Sequence, residues 1–194
     1  MSEDSCAALI LAAGASKRLG HPKQLLRLNG ETLLHRAARL ATEAGCSPVV
    51  VVLGYEAEML TPDLEGLNVR RVINQNWQQG MGSSLACGIA AIEDAQGALL
   101  MVCDQVRLTR ADLTHLLDLH RRSAASLTVS SYAGRLGVPA VFSRSYFPSL
   151  AALSGDRGAR DIIERNRSRA AIYGFPDGAE DVDNAADWQR LADP

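Results

Sequence analysis

Apolar runs separated by amphipathic segments recur along the chain and predict alternating strands and helices. The runs are rich in Val, Ile, Leu and Ala, and they cover 6–13, 48–53, 69–73, 98–102, 127–131 and 139–142. The first four runs show no polar alternation, which is typical of parallel strands that are covered by helices. We therefore expect these four strands to be buried on both faces.

Amphipathic segments at 32–44, 83–91 and 109–122 predict helices between the strands. Thr109 is followed three residues later by Asp112, a pattern typical of a capped helix start. The alternation predicts an α/β fold: a three-layer, Rossmann-like arrangement with a mostly parallel central sheet and right-handed crossovers. We expect residues 1–194 to form a single domain.

Composition favours a globular cytoplasmic protein. Hydrophobic residues make up 47% and charged residues 22% of the chain, and the net charge of −2 gives no reason to expect a nucleic-acid partner. The N-terminus is acidic before it becomes apolar, unlike a signal peptide, and every apolar run is far shorter than the ~18 residues of a membrane helix. No C-x-x-C pair occurs, so the cysteines are expected to be buried, reduced thiols. They are Cys6, Cys46, Cys87 and Cys103.

A turn of small residues crowded by cations follows the first expected strand. Residues 12–16 are Ala, Ala, Gly, Ala and Ser, and Lys17, Arg18 and Lys23 come next. Small side chains leave backbone N–H groups approachable, and Gly14 permits a positive φ, so the turn can form a concavity that binds anions. With the cations it could hold a triphosphate, whereas the alternative is a tight strand-to-helix turn with a solvated basic rim. Neither G-x-x-x-x-G-K-[ST] nor G-x-G-x-x-G follows this strand, which argues against P-loop NTPases and standard dinucleotide-binding folds.

Two later segments also follow expected strands, at the sheet edge where such folds bind ligands. Residues 79–85 open a helix with two glycines and two serines, whose N–H groups and hydroxyls could bind a phosphate or a base edge. An ordinary N-cap at Ser83 or Ser84 is the alternative. Asp104 directly follows a buried run, where a carboxylate either caps the next segment or binds Mg²⁺ together with phosphate oxygens.

Two acids and two tryptophans complete the candidate residues. Asp181 and Asp183 lie two residues apart, so on a strand they would share one face. Asp183 is favoured as a second carboxylate on the metal, and the alternative is that both acids cap a closing helix. Trp77 and Trp188 are expected to pack in the core rather than stack on a base.

The segment 11–23 reads L-A-A-G-A-S-K-R-L-G-x-x-K and resembles the signature of the MobA-like nucleotidyltransferases, most closely their molybdenum-cofactor cytidylyltransferase type. A second match is G-x-P-x-x-F at 137–142, followed by G-D-x-G-A-R at 155–160. A third aligns 181–188 with D-[IV]-D-T-P-E-D-[WY]. The resemblance spans 9–188.

This chain departs from the family pattern at two places. Val106 stands where the family has a proline after D-Q, and 184–186 read Asn-Ala-Ala in place of Thr-Pro-Glu. Asn184 is still expected to cap a helix over 185–191.

The resemblance implies a site. The residues implied to contact the nucleotide are Leu11, Ala12, Ala13, Gly14, Ser16, Arg18, Lys23, Gly82 and Ser83. The residues implied to carry the transfer are Lys23, Arg18 and Asp104, and Mg²⁺ is implied on Asp104 and Asp183. The N-terminal half is implied to bind the nucleotide. Residues 130–185 are implied to shape the acceptor side, where Arg157 or Arg160 meets an anionic acceptor.

The implied activity is a Mg²⁺-dependent transfer of CMP from CTP to the phosphate of a molybdopterin-type acceptor, with release of pyrophosphate. Guanylyl transfer and nucleotidyl transfer to a sugar phosphate stay open, because no residue indicates the base. A non-catalytic accessory protein that helps to load a molybdenum hydroxylase is the alternative from another class. The expected partners are therefore a nucleoside triphosphate and the acceptor, and a molybdenum hydroxylase is the partner in the accessory alternative. No membrane partner is expected.

Overall fold

The structure, a computed structural model, describes residues 6–192. The strands are β1 Cys6–Leu11, β2 Arg27–Leu28, β3 Glu31–Thr32, β4 Val49–Leu53, β5 Arg70–Ile73, β6 Gly97–Val102, β7 Leu127–Tyr132, β8 Arg135–Ser143 and β9 Ala171–Gly174. The α-helices are α1 Leu33–Glu43, α2 Ala57–Leu60, α3 Met81–Ala90, α4 Arg110–Arg122, α5 Phe147–Ala151, α6 Arg160–Arg165 and α7 Ala185–Ala192. Short 3₁₀ turns connect several of them.

Within residues 6–192, seven strands form the main sheet in the order β5-β4-β1-β6-β8-β7-β9, while β2 and β3 form a separate hairpin. The pairs β5–β4, β4–β1, β1–β6 and β7–β9 are parallel, and β8 runs antiparallel to both of its neighbours. The predicted α/β fold with a mostly parallel central sheet is therefore confirmed.

Helices cover both faces of the sheet, because successive residues of a strand point to opposite sides. Ala8 and Ile10 of β1 pack in a core with α1, α2, α4 and α7, whereas Ala7 and Leu9 pack in a second core with α3, α5 and α6. Every residue of β4 is buried. Full burial of each such Val or Leu side chain contributes about 1.5–3 kcal/mol, which favours the central position of β4 and β1. The three-layer prediction is confirmed.

The expectation of burial on both faces is wrong for one strand, β5. Arg70, Arg71 and Ile73 are exposed. The physical reason is the position of β5 at the edge of the sheet, with β4 on one side only.

The turn at 133–134 joins β7 and β8 of the main sheet as a two-residue hairpin. Ala133 and Gly134 take φ values of 46° and 71°, as a two-residue hairpin turn requires.

Both expected helix caps are confirmed. The Thr109 hydroxyl accepts from the Asp112 N–H at 3.2 Å, and the Asp112 carboxylate accepts from the Thr109 N–H at 2.9 Å. Asn184 Oδ1 accepts from the Asp187 N–H at 3.0 Å and starts α7. The family's Thr-Pro-Glu is therefore not needed for this helix, and Val106, in place of the proline, is buried in the core.

The cysteines are free thiols. Cys46 and Cys103 are buried as expected, whereas Cys6 and Cys87 are half-buried. Burial raises the pKa of Cys103 to about 12, so this thiol stays protonated. Among residues 6–192, no helix is long and apolar enough to cross a membrane.

Candidate active site

A cleft opens at the carboxyl ends of β1 and β6, where ligands bind in sheets of this kind. It consists of two cavities. We call the first, of about 500 Å³, the loop cavity, because residues 11–15 and 17 line it. The second, of about 490 Å³, is the hairpin cavity, because residues 135–138 of β8 line it. The residues that line both cavities are Leu11, Lys23, Met81, Val102, Asp104 and Asp156.

The loop after β1 presents a row of unpaired backbone N–H groups. Among residues 6–192, the N–H groups from Ala13 to Arg18 have no hydrogen-bond acceptor, whereas the next one, of Leu19, donates to Ser16 O at 2.9 Å. Ser16 has a left-handed φ of 48°, as expected in a backbone concavity that binds anions. The loop therefore has the donors to hold an anion.

Gly14 does not have the predicted role in the conformation of this loop. Its backbone lies outside the left-handed region, which Ser16 and Gly20 occupy instead, so the loop does not use the positive φ that Gly14 permits. A Cβ built on Gly14 would meet no atom within 4 Å. Glycine is therefore required here by neither the backbone nor the packing, and it leaves open space at the loop cavity.

Two cations, Lys23 and Arg18, pair with two acids, Asp104 and Asp183. Lys23 and Asp104 line both cavities and Asp183 lines the hairpin cavity, whereas Arg18 lines neither. The Lys23 ammonium forms an ion pair with Asp104, donates to Val182 O at 3.3 Å and lies 4.0 Å from Asp183 Oδ1. Arg18 Nη2 lies 2.8 Å from Asp183 Oδ2. Burial disfavours the charge on Lys23, but Asp104 more than compensates, and the pKa of Lys23 is raised. The structure thus brings Arg18, Lys23, Asp104 and Asp183 together as expected, but each cation is neutralised by an acid.

Asp104 has an oxygen that nothing in the structure satisfies. Its Oδ1 is buried and lacks a hydrogen-bond partner among residues 6–192. Asp181 lies nearby, and its pKa is raised by burial and by the charges of Asp104 and Asp183. In the described part of the chain, no three His, Cys, Asp or Glu side chains are grouped as ligands of one metal ion. Two carboxylates suit Mg²⁺, which completes its shell with phosphate oxygens and water.

Gly82 and Ser83 brace the wall of the loop cavity and are absent from its lining. The Gly82 N–H donates to Gly155 O at 2.8 Å, and a Cβ on Gly82 would lie 2.6 Å from the Ser154 backbone. Ser83 Oγ lies 2.9 Å from Gly80 O and accepts from Asn74 at 2.9 Å. The contact of Gly82 and Ser83 with a nucleotide stays a prediction.

The residues around this pair do line the cavity. Gly80, Met81 and Ser84 belong to its wall. Helix α3 starts at Met81 with Gly80 as its N-cap, so the alternative of an N-cap at Ser83 or Ser84 is wrong.

Trp77 packs against a neighbouring ring and also lines the loop cavity. Its ring lies edge-to-face with Tyr55 at 5.5 Å between centroids, and it also lines the loop cavity. A Cβ on Gly54 would lie 2.6 Å from Trp77 Cβ and 2.8 Å from Ala13 Cβ, so this glycine lets the ring and the loop approach each other. Trp188 packs against the core, as expected.

The hairpin cavity is rich in arginine. Arg135, Arg157 and Arg160 line it. Arg157 Nη2 lies 2.9 Å from Asp161, whereas Arg135 and Arg160 form no ion pair within residues 6–192. Gly137 lines this cavity, but Phe142 is fully buried in the core.

Gln24 is a site residue that sequence reasoning missed. Its side-chain amide donates to Ala12 O at 2.8 Å and to Gly14 O at 2.9 Å. The only signal in the sequence is a polar residue between Lys23 and an apolar pair, and this does not indicate which groups it binds.

Comparisons with known proteins give a family match and solved structures of similar fold. Residues 8–170 match the family described as MobA-like NTP transferase domain. A relative named nicotine blue oxidoreductase, from Paenarthrobacter nicotinovorans, is 35% identical over 192 residues, which cover 94% of each chain. The crystal structure of Rv0371c from Mycobacterium tuberculosis H37Rv is 31% identical, with a TM-score of 0.82 over 98% of this chain and 99% of that one. A structure of Rv0371c in complex with manganese is 30% identical, with a TM-score of 0.78 over 97% and 98%.

Proposed function

We propose, from the premise that this chain belongs to the MobA-like NTP transferase family and is a nucleotidyltransferase, that it transfers CMP from CTP to the phosphate of a molybdopterin-type acceptor and releases pyrophosphate. The observation that carries this proposal is the Lys23–Asp104 pair, which lies where the two cavities meet. A transferase needs two substrate pockets that share one reaction centre, and the two cavities that share Lys23 and Asp104 support this proposal.

The N-terminal half would hold the nucleotide. The triphosphate would lie on the unpaired N–H groups from Ala13 to Arg18, since amides of this kind bind anions without an additional charge. The base would face Trp77 and the backbone of Ala12, because both line the same cavity. Lys17 lines it as well and adds a cation.

Asp104 and Asp183 are the residues that would hold Mg²⁺. The unsatisfied Asp104 Oδ1 supports this assignment. The manganese in the structure of Rv0371c, a protein 30% identical to this one, supports the use of a divalent metal ion. When bound, the ion would neutralise phosphate charge and polarise the α-phosphate. Once Asp104 and Asp183 are engaged, Lys23 and Arg18 are free to contact the phosphates.

The transfer needs no covalent intermediate with the protein. An acceptor phosphate oxygen forms a bond to the α-phosphorus, the bond to the bridging oxygen breaks, and pyrophosphate leaves. The attacking phosphate is already anionic, so the transfer proceeds without a general base. Lys23 and Arg18 stabilise the charge that develops on the leaving pyrophosphate, and the two cavities position the reactants.

Residues 130–185 would form the acceptor side. Arg135 and Arg160 line the hairpin cavity and form no ion pair within residues 6–192, so they are available to an anionic acceptor. Arg157 is already paired with Asp161, which favours Arg160 over Arg157.

Pyrophosphate release tests the proposal. The protein is incubated with Mg²⁺ and molybdopterin, and with CTP, GTP, ATP or UTP in turn. We expect the highest rate with CTP. Lys23→Ala should lower the rate of pyrophosphate release. Arg27→Ala removes an exposed cation on β2 and should leave that rate unchanged. Equal rates for Lys23→Ala and the wild type would contradict the role of Lys23.

Other outcomes would indicate other functions. A preference for GTP would indicate guanylyl transfer, and release with a sugar phosphate but not with molybdopterin would change the acceptor. Binding of CTP without turnover would favour the accessory role. The name of the 35% identical relative suggests an oxidoreductase, and transfer of electrons from an added reduced nicotinamide to an acceptor, without pyrophosphate release, would support that function.

A further inference from the structure

Gln24 is buried beneath the loop that follows β1. The residue is only 1% exposed to solvent. The amide nitrogen donates to Ala12 O at 2.8 Å and to Gly14 O at 2.9 Å. A glutamine amide has two N–H groups, so both donors of Gln24 are used on this one loop.

The two captured carbonyls determine where the following N–H groups point. In a planar trans peptide, the C=O of one residue and the N–H of the next point in opposite directions. Because Gln24 holds the Ala12 and Gly14 carbonyls, the Ala13 and Ala15 N–H groups point away from it. Both residues line the loop cavity, and neither N–H group has an acceptor among residues 6–192.

Other contacts orient the remaining carbonyls in the same way. The Tyr55 N–H donates to Ala13 O at 3.1 Å, and the Leu19 N–H donates to Ser16 O at 2.9 Å. By the same geometry, the Gly14 N–H points away from Tyr55 and the Lys17 N–H points away from Leu19. Among these donors to the loop carbonyls, Gln24 donates from its side chain, whereas Tyr55 and Leu19 donate from the backbone.

We infer that Gln24 is a positioning residue for triphosphate binding, which fixes the peptide planes of the loop so that its N–H groups already face the phosphates. The inference rests on the proposed function, because the ligand of the loop is the nucleotide's phosphate chain. Gln24 also lines the loop cavity, but both of its N–H donors are used on the Ala12 and Gly14 carbonyls, and its Oε1 lies 3.5 Å from Ser16 Oγ. Its polar atoms are therefore directed at the loop, and it acts through the loop backbone. Preorganisation of this kind raises the affinity for the ligand, because binding does not have to orient the N–H donors.

A Gln24→Met variant tests the inference, because methionine keeps the length of the side chain and removes both donors. CTP and CMP binding are measured by calorimetry for the wild type and the variant. We expect CTP affinity to fall about tenfold and CMP affinity to fall less, since the lost ordering acts on the phosphates. A role limited to stability would lower the melting temperature and leave the ratio of the two affinities unchanged.

Thr128→Val is the matched control. Thr128 is fully buried and hydrogen-bonded to His120 at 2.9 Å, but it lines neither cavity. It should lose stability and keep the wild-type ratio of CTP to CMP affinity.

A measurement on the wild-type protein covers the case in which Gln24→Met does not fold. In an NMR titration with CTP, the amide signals of Ala13, Ala15 and Lys17 should shift strongly, and unmoved signals would overturn the inference. If the wild type binds CTP and Gln24→Met binds it equally well, the inference fails while the proposed function stands. If the wild type does not bind CTP, both fail.

Discussion

Replacing Gly14 with alanine should leave the fold intact and weaken CTP binding. Gly14 is exposed at the loop cavity, its backbone lies outside the left-handed region, and an added Cβ would meet no atom within 4 Å. The substitution therefore introduces neither strain nor a clash in the protein alone. It places a methyl group where the phosphates are proposed to approach the backbone.

The two expected effects have opposite signs. Alanine at a compatible backbone position stabilises a protein by about 0.4–1 kcal/mol, because the unfolded chain has fewer conformations to lose. For a protein of this size, that raises the melting temperature by roughly 1–4 °C. A methyl group that keeps a phosphate oxygen beyond hydrogen-bond distance removes one charge-assisted bond, which contributes about 1.5–3 kcal/mol. CTP binding should therefore weaken by roughly 10- to 100-fold.

Thermal melting and calorimetric titration with CTP and Mg²⁺ measure the two effects. Gly174→Ala is the matched control, because Gly174 also has open space around its missing Cβ and no left-handed φ, but lies on β9 and lines neither cavity. Both variants should melt at or slightly above the wild-type temperature, and only Gly14→Ala should bind CTP weakly. Wild-type affinity in Gly14→Ala would refute the placement of the phosphates on this loop.

Two further predictions concern other charged groups. Asp104→Ala should reduce pyrophosphate release by about 100-fold or more, and unchanged release would remove Asp104 from the mechanism. It should also lower the unfolding free energy by about 1–3 kcal/mol, because the largely buried Lys23 ammonium loses its nearest carboxylate. Burial lowers the pKa of His120, so the folded protein resists a proton that the unfolded chain accepts below about pH 6.5. Urea unfolding should therefore show lower stability at pH 5.5 than at pH 7.5, and His120→Gln should show a smaller difference; an equal pH dependence in the variant would contradict this.

The sheet was predictable where burial is complete. The apolar runs of β1, β4 and β6 lie in the middle of the sheet, and their sequences show it. The run at 69–73 looks similar, but its strand, β5, is at the edge, and edge position depends on the order of strands rather than on local sequence. β9 was not predicted, because its four residues alternate between half-buried and exposed and give too short a signal.

The site was predictable as separate residues but not as contacts. Each charged residue stands beside a recognisable segment, so Lys23 and Asp104 could be singled out individually. Their ion pair joins residues 81 positions apart in the chain, and Gln24 binds carbonyls 12 and 10 positions before it. No local sequence pattern encodes these contacts. They form because the loop after β1 brings residues 23 and 24 back to the carboxyl ends of β1 and β6.

Unsatisfied polar groups connect the two halves of the cleft. Within residues 6–192, the buried side-chain atoms without a hydrogen-bond partner are Asp104 Oδ1 and Gln105 Oε1. Asp104 lines both cavities and Gln105 lines the hairpin cavity, while the unpaired N–H groups that begin at Ala13 lie at the loop cavity. Leaving a buried acceptor unpaired costs about 1–3 kcal/mol, and a fold satisfies such groups unless something else is to satisfy them. The unpaired N–H groups of the loop favour a ligand that is anionic where it meets the loop. The unpaired acceptor of Asp104 favours a cation bound beside that ligand.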